Sequence, residues 1–306
     1  MTAIDNEQEV WTHHHAIVNG VRLHYVAAGE GPLVVLLHGF PEFWYSWRRQ
    51  IPALAAAGFR VIAPDMRGYN TSEKPRGVMS YRLSRLTADV AELIRYVGEQ
   101  RAVVVGHDWG GAVAWTMPMR YPDLVDRLIV LNAPHPGAWP REMRKPGQFF
   151  KAWYQFFFQL PWLPEAAIRA RNFAVVRDLF RQGPVRKDAF TEQDIDRYIA
   201  ALAQPGALTA ALNYYRAIYR EALRQGPRAY LSSVRCSDVP TLLIWGEQDR
   251  ALTLSLTEGL EQWVPNIRVE RIPDASHWVQ NDTPESVNEL MLAFLGGQSR
   301  SLRRAQ

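Results

Sequence analysis

Arg101-Ala-Val-Val-Val-Gly-His-Asp-Trp-Gly-Gly-Ala112 is the stretch that decides the fold. A short apolar run, rich in β-branched valine, predicts a buried strand; the residues after it predict a tight turn and then a helix. Gly106, Gly110 and Gly111 flank Asp108, which falls at the apex of the turn. A side chain held on such a sharp strand-to-helix bend sits in a strained backbone, so its neighbours must be small. Asp108 is therefore read as a nucleophile. A carboxylate that attacks a saturated carbon leaves an alkyl ester on the enzyme, and something must later hydrolyse it.

Working outward, strand and helix alternate on both sides of this unit. Thr12 to Ala28 alternates in polarity and is broken by Asn19-Gly20, which predicts a two-strand hairpin. Leu33 to Leu37 and Phe59 to Pro64 read as strands, Trp47 to Ala57 and Leu83 to Val97 as helices. The helix expected from Gly111 to Tyr121 contains Pro118, which should bend it. Leu128 to Asn132, Thr241 to Trp245 and Ile267 to Ile272 continue the strands, and a last helix is expected from Pro284 to Leu295. Repeated βα units predict a mostly parallel sheet with helices on both faces. Between His135 and Ser233 the alternation stops, and about a hundred residues of helical, aromatic-rich sequence intervene. The expected organisation is a core of residues 1–134 and 236–306, with 135–235 inserted as a helical cap.

His277, in Pro273-Asp-Ala-Ser-His-Trp278, follows the last strand and is the candidate base for the ester. A histidine base needs a carboxylate to fix its tautomer, and Trp245-Gly-Glu-Gln-Asp249 supplies Asp249, with Glu247 and Asp274 as alternatives. His38-Gly39-Phe40-Pro41 ends another strand at the edge where open α/β sheets bind ligands. The backbone N–H groups of Phe40 and Trp109 are candidate donors to an oxyanion. His38 is read as a structural hydrogen-bonding residue.

Composition excludes several other classes of function. The chain has 306 residues, 47% of them apolar, and a net charge of +4 without basic runs except in Arg300-Ser-Leu-Arg-Arg304, so no nucleic-acid partner is expected. One cysteine, Cys236, cannot form an internal disulfide and fits a reducing compartment. The acidic start, Met1 to Glu9, does not read as a secretory signal, and no apolar run approaches the length of a membrane span, so a cytoplasmic protein without a membrane partner is expected. In His13-His14-His15 only the first and third could share a face of a strand, and no metal site is assigned there.

These motifs resemble an epoxide hydrolase of the α/β-hydrolase superfamily, over about residues 15 to 296. His38-Gly-Phe-Pro41 is similar to the family's His-Gly-x-Pro motif, which implies a cis peptide before Pro41. Gly106-His-Asp-Trp-Gly-Gly111 is similar to its nucleophile elbow, with aspartate where other α/β-hydrolases carry serine, and Asp249 and His277 match its acid and base positions. The resemblance also implies two cap tyrosines that donate to the epoxide oxygen. Tyr154, directly before Gln155, fits the first; Tyr215, directly before Arg216, fits the second, with Tyr214 as competitor. Leu208, Leu212, Tyr215 and Tyr219 fall on one helical face, in modest agreement.

The expected pocket is lined by Trp109, Pro41, Phe150, Phe157 and Trp278 and takes a small apolar epoxide and water. Neither cofactor nor metal is implied, and the chain is expected to be a monomer or a homodimer. A haloalkane dehalogenase is the nearest alternative, with Trp109 as halide donor, but a leaving halide needs no proton and would give two phenols little purpose. A small-molecule receptor on the same fold, with a vestigial triad, is the alternative outside enzymes.

Overall fold

The computed structural model describes residues 10–296, so the acidic start at 1–9 and the basic tail at 300–304 lie outside the described residues. Eight strands form one sheet in the order β1-β2-β4-β3-β5-β6-β7-β8. They are β1 (Thr12–Val18), β2 (Val21–Ala28), β3 (Leu33–Leu37), β4 (Arg60–Pro64), β5 (Ala102–His107), β6 (Val125–Leu131), β7 (Thr241–Gly246) and β8 (Ile267–Ile272). β1 and β2 form the expected hairpin, with Asn19 and Gly20 both at positive φ, as its two-residue turn requires. β2 also runs antiparallel to β4, and from β4 to β8 every pair is parallel. β3, β5 and β7 are buried along their whole length, which is why they read as unbroken apolar runs; β8, at the edge, is half exposed.

The core helices are α1 (Gln50–Ala56), α2 (Leu83–Tyr96) and α3 (Trp109–Arg120), with α10 (Val279–Asp282) and α11 (Pro284–Gly296) at the end. The helix expected from Trp47 starts later, at Gln50, because Trp44–Trp47 forms a separate 3-10 turn. Pro118 sits in the last turn of α3, where it cannot donate the helical bond to Ala114 O, and the helix ends two residues beyond it.

Between β6 and β7 lie α4 (Trp139–Glu142), α5 (Pro146–Lys151), α6 (Trp153–Phe157), α7 (Leu163–Gln182), α8 (Glu192–Ala203) and α9 (Ala207–Ser233). α7 is broken at Ala170–Phe173, where three consecutive residues, Arg171, Asn172 and Phe173, have positive φ. α8 starts with a Thr191–Asp194 capping box, and Asp194 also accepts from Tyr45 Oη at 2.8 Å, tying the helical insertion to the core. Arg48 adds bonds to Ala189 O and Asn281 Oδ1. No described helix is long and apolar enough to cross a membrane.

Candidate active site

The carboxyl ends of β3, β5, β6, β7 and β8 converge on one edge of the sheet, and each delivers a polar group there. Asp108 follows β5 with φ 49° and ψ −117°, a conformation that costs an ordinary residue on the order of 1–3 kcal/mol and is held by its surroundings. Close packing explains its glycine neighbours. A methyl at Gly106 would collide with the backbone of Gly110, and one at Gly110 with the backbone of Leu37. The Phe40–Pro41 peptide is cis, and Phe40 N donates to Asp108 Oδ1 at 2.7 Å.

His277 stands on the opposite side of the carboxylate, with Nε2 3.7 Å from Asp108 Oδ2. Its Nδ1 lies 2.7 Å from Asp249 Oδ2. Asp249 is buried, while Glu247 and Asp274 are exposed. Burial alone would favour a neutral Asp249, but the charge and hydrogen bond of His277, with donors from Asn132 and Leu252 N, hold its carboxyl below the usual range. Burial would likewise favour neutral His277; the charge of Asp249 and its hydrogen bond, with the nearby carboxylate of Asp108, outweigh it and raise the imidazole pKa well above its ordinary value.

Sequence reasoning assigned no role to Asn132, Glu42 or His107. Asn132, at the end of β6 with φ 36°, donates to Asp249 Oδ2 at 2.8 Å and accepts from Gly246 N at 2.8 Å. A polar residue ending a buried strand beside the elbow was the available signal. Asn132→Ala is expected to destabilise the fold by about 1–3 kcal/mol in urea denaturation, because Gly246 N and one Asp249 oxygen lose partners where water has little access. Glu42 accepts from Gly39 N and pairs with His107 Nδ1 at 2.9 Å, and His107 Nε2 is 2.8 Å from the backbone oxygen of His277. These contacts join the turn after β3, the strand that carries Asp108 and the loop that carries His277. His38 Nε2 accepts from Met66 N and its Nδ1 donates to Gly39 O, consistent with a structural residue; burial lowers its pKa.

A cavity of about 440 Å³ reaches Asp108 between core and insertion, and its lining includes Trp109, Tyr154, Tyr215, Phe156 and Leu252. The rings of Tyr154 and Tyr215 meet edge to face, with centroids 6.0 Å apart. Burial, and next the charge of Asp108, raise both phenol pKa values, so both remain protonated donors at neutral pH. Tyr214 points elsewhere and donates to Arg67 O at 2.7 Å. Arg216 holds the two tyrosine segments together, with Nε on Phe158 O at 2.9 Å and its two terminal nitrogens on Glu165 at 2.7 and 3.0 Å.

The expected pocket lining needs correction. Of its five residues only Trp109 lines this cavity. Phe150 faces outward, Phe157 packs beside Trp153 and Phe158, and Pro41 is buried. Trp278 lies with Phe180 and Phe190 and borders a separate cavity with His277. Phe156 takes the place expected of Phe157, because successive helical residues point about 100° apart. A larger cavity of about 560 Å³ shares Leu83, Pro136, Ile218 and Ala222 with the first but reaches neither Asp108 nor the tyrosines. In the β1–β2 hairpin, His13 Nδ1 is 2.8 Å from His24 Nε2, and His24 Nδ1 is 2.6 Å from Asp65.

Residues 32–284 match the family model described as alpha/beta hydrolase fold. The chain is 39% identical to human Epoxide hydrolase 4, over 92% of this chain and 78% of that protein. The chain belongs to the α/β-hydrolase family, among its epoxide hydrolases. An AB hydrolase superfamily protein of Bacillus subtilis, YfhM, is 44% identical over 92% of this chain and 96% of its own. Among solved structures, an epoxide hydrolase of Bacillus megaterium in complex with an inhibitor is 34% identical with a TM-score of 0.85, covering 92% of this chain and all of that one. For this α/β-hydrolase, the cavity thus brings together the elbow aspartate and two phenols, and a histidine held by a second aspartate stands 3.7 Å from the elbow carboxylate.

Proposed function

We propose that this chain hydrolyses apolar epoxides to vicinal diols through a covalent ester on Asp108, with residues 135–235 serving as the cap. The observation that carries this reading is that Asp108 shares one largely apolar cavity with the phenols of Tyr154 and Tyr215 and has His277 3.7 Å from its carboxylate. Asp108 attacks an epoxide carbon, the C–O bond breaks, and the leaving oxygen takes a proton from a tyrosine. Asp249 fixes the His277 tautomer. His277 then removes a proton from water as the water attacks the Asp108 carboxyl carbon, and the N–H groups of Phe40 and Trp109 stabilise the oxyanion. Collapse releases the diol and restores the carboxylate, and the proton on His277 returns to the tyrosinate.

The charge of Asp108 coordinates these steps. While it is ionised it raises His277 and both phenols. Ester formation removes that charge, so the phenols become stronger acids as the alkoxide forms and His277 becomes free to act as a base. A single turnover in ¹⁸O-labelled water is expected to place the label in the Asp108 carboxylate and leave the first-formed diol unlabelled. Mass spectrometry of the Asp108 peptide reads this directly. Label in the diol alone would mean that water attacks the epoxide carbon without an ester, and bromide release from a bromoalkane without diol from styrene oxide would favour a dehalogenase.

A further inference from the structure

Phe149, Phe150, Trp153, Leu160, Trp162 and Leu163 are all exposed, within fifteen residues of one another. Phe150, Trp153 and Trp162 are 71%, 64% and 73% exposed, unusual for such large apolar side chains gathered in one segment. Ring contacts tie part of the patch together, with Phe149 5.9 Å from Phe150 and 5.4 Å from Phe156. Its charges are one-sided. Arg144, Arg169 and Arg171 flank it and are exposed, while Lys145 is paired with Glu142. The carboxylates of the same segment are spent elsewhere: Glu142 is buried on Lys145, Arg141 and Ser255, and Glu165 is held by Arg216.

We propose that the Phe149–Leu163 face docks peripherally on an anionic lipid bilayer. Tryptophan and phenylalanine rimmed by arginine is the composition that seats a segment at the headgroup boundary, where aromatic rings enter the acyl edge and cations meet lipid phosphates. A second copy is the less suitable occupant, because a two-fold pairing of this face would set its cations against each other. The absence of a spanning helix does not bear on this, since the contact lies on the surface. Phe156 belongs to the patch and also lines the cavity that reaches Asp108, as does exposed Leu223, so the cavity opens beside the docking face. An apolar ligand dissolved in the bilayer would enter there without crossing water.

The test is sedimentation of the full chain with equimolar phosphatidylglycerol–phosphatidylcholine vesicles and with phosphatidylcholine vesicles alone. Binding to the anionic vesicles is expected to exceed that to the neutral ones by about tenfold or more, and to fall with added salt. Trp153→Ser combined with Trp162→Ser is expected to weaken it at least about tenfold while turnover of a water-soluble epoxide stays within about twofold. Brominated phosphatidylglycerol should quench the tryptophan fluorescence of the unaltered chain, a reading that needs no variant. The proposal is overturned by absence of binding to anionic vesicles, by absence of quenching, by binding that the tryptophan changes leave intact, or by a dimer in light scattering that the same changes dissociate. None of these outcomes depends on whether the chain opens epoxides.

Discussion

Changing both Tyr154 and Tyr215 to phenylalanine is expected to reduce epoxide turnover by about 10⁴-fold or more, whereas either change alone slows ring opening by roughly 10- to 1000-fold. An alkoxide is too basic to leave unprotonated, so removing every nearby acid stops the first step, while one remaining phenol can still supply a proton. The singles are milder because the two rings share one cavity with Asp108 and meet each other edge to face. Phenylalanine keeps the ring packing of Tyr215 on Phe40, Trp109 and Phe158, so thermal melting should move little and a folding defect can be told from a chemical one. The discriminating measurement is the rate of Asp108 ester formation in rapid-quench mass spectrometry. A double variant that forms ester at the unaltered rate would remove the tyrosines from the reaction.

The backbone of this site could be read from sequence where a local pattern had only one packing solution. An apolar strand followed by closely spaced glycines around Asp108 allows little but a sharp bend, because any larger neighbour collides with the chain. Asn19-Gly20 set the first hairpin for a similarly local reason, the two positive φ values. His277 and Asp249 were legible because each follows a strand whose direction the alternation already implied. Asn132 was not, since one amide at a strand end has no pattern and gains its meaning only from Asp249 and Gly246, more than a hundred residues away in sequence. The pocket aromatics failed for a rotational reason. Three consecutive phenylalanines, Phe156 to Phe158, present an outward and cavity-lining ring, a partly buried one and a buried one, and composition cannot order them. The break in α7 at Ala170–Phe173 carries neither glycine nor proline, so no breaker announced it.

His277→Gln is expected to arrest the reaction half-way, with turnover lowered by roughly 100- to 10 000-fold and the ester accumulating on Asp108. Ester formation needs an ionised Asp108 and a proton donor, neither of which is His277; ester hydrolysis needs a base beside the carboxyl carbon. Glutamine can keep a hydrogen bond to buried Asp249 and so avoids leaving that carboxylate bare. In the unaltered enzyme the sign of the pH dependence follows from the same charges. Burial opposes the imidazolium, but Asp249 and Asp108 raise its pKa well above the ordinary value. The ester cancels the contribution of Asp108, so the imidazole pKa in the intermediate lies below that in the free enzyme. Hydrolysis should therefore rise with pH through this lowered pKa and level off above it, while ester formation, which does not use neutral His277, stays flat across the same interval. Below that pKa hydrolysis falls about tenfold per pH unit and the ester builds up in the unaltered enzyme. His277→Gln should lose this dependence and hold the ester across the same interval. An unmodified Asp108 in the variant, after exposure to an epoxide that the unaltered enzyme converts, would show that no ester lies on the path.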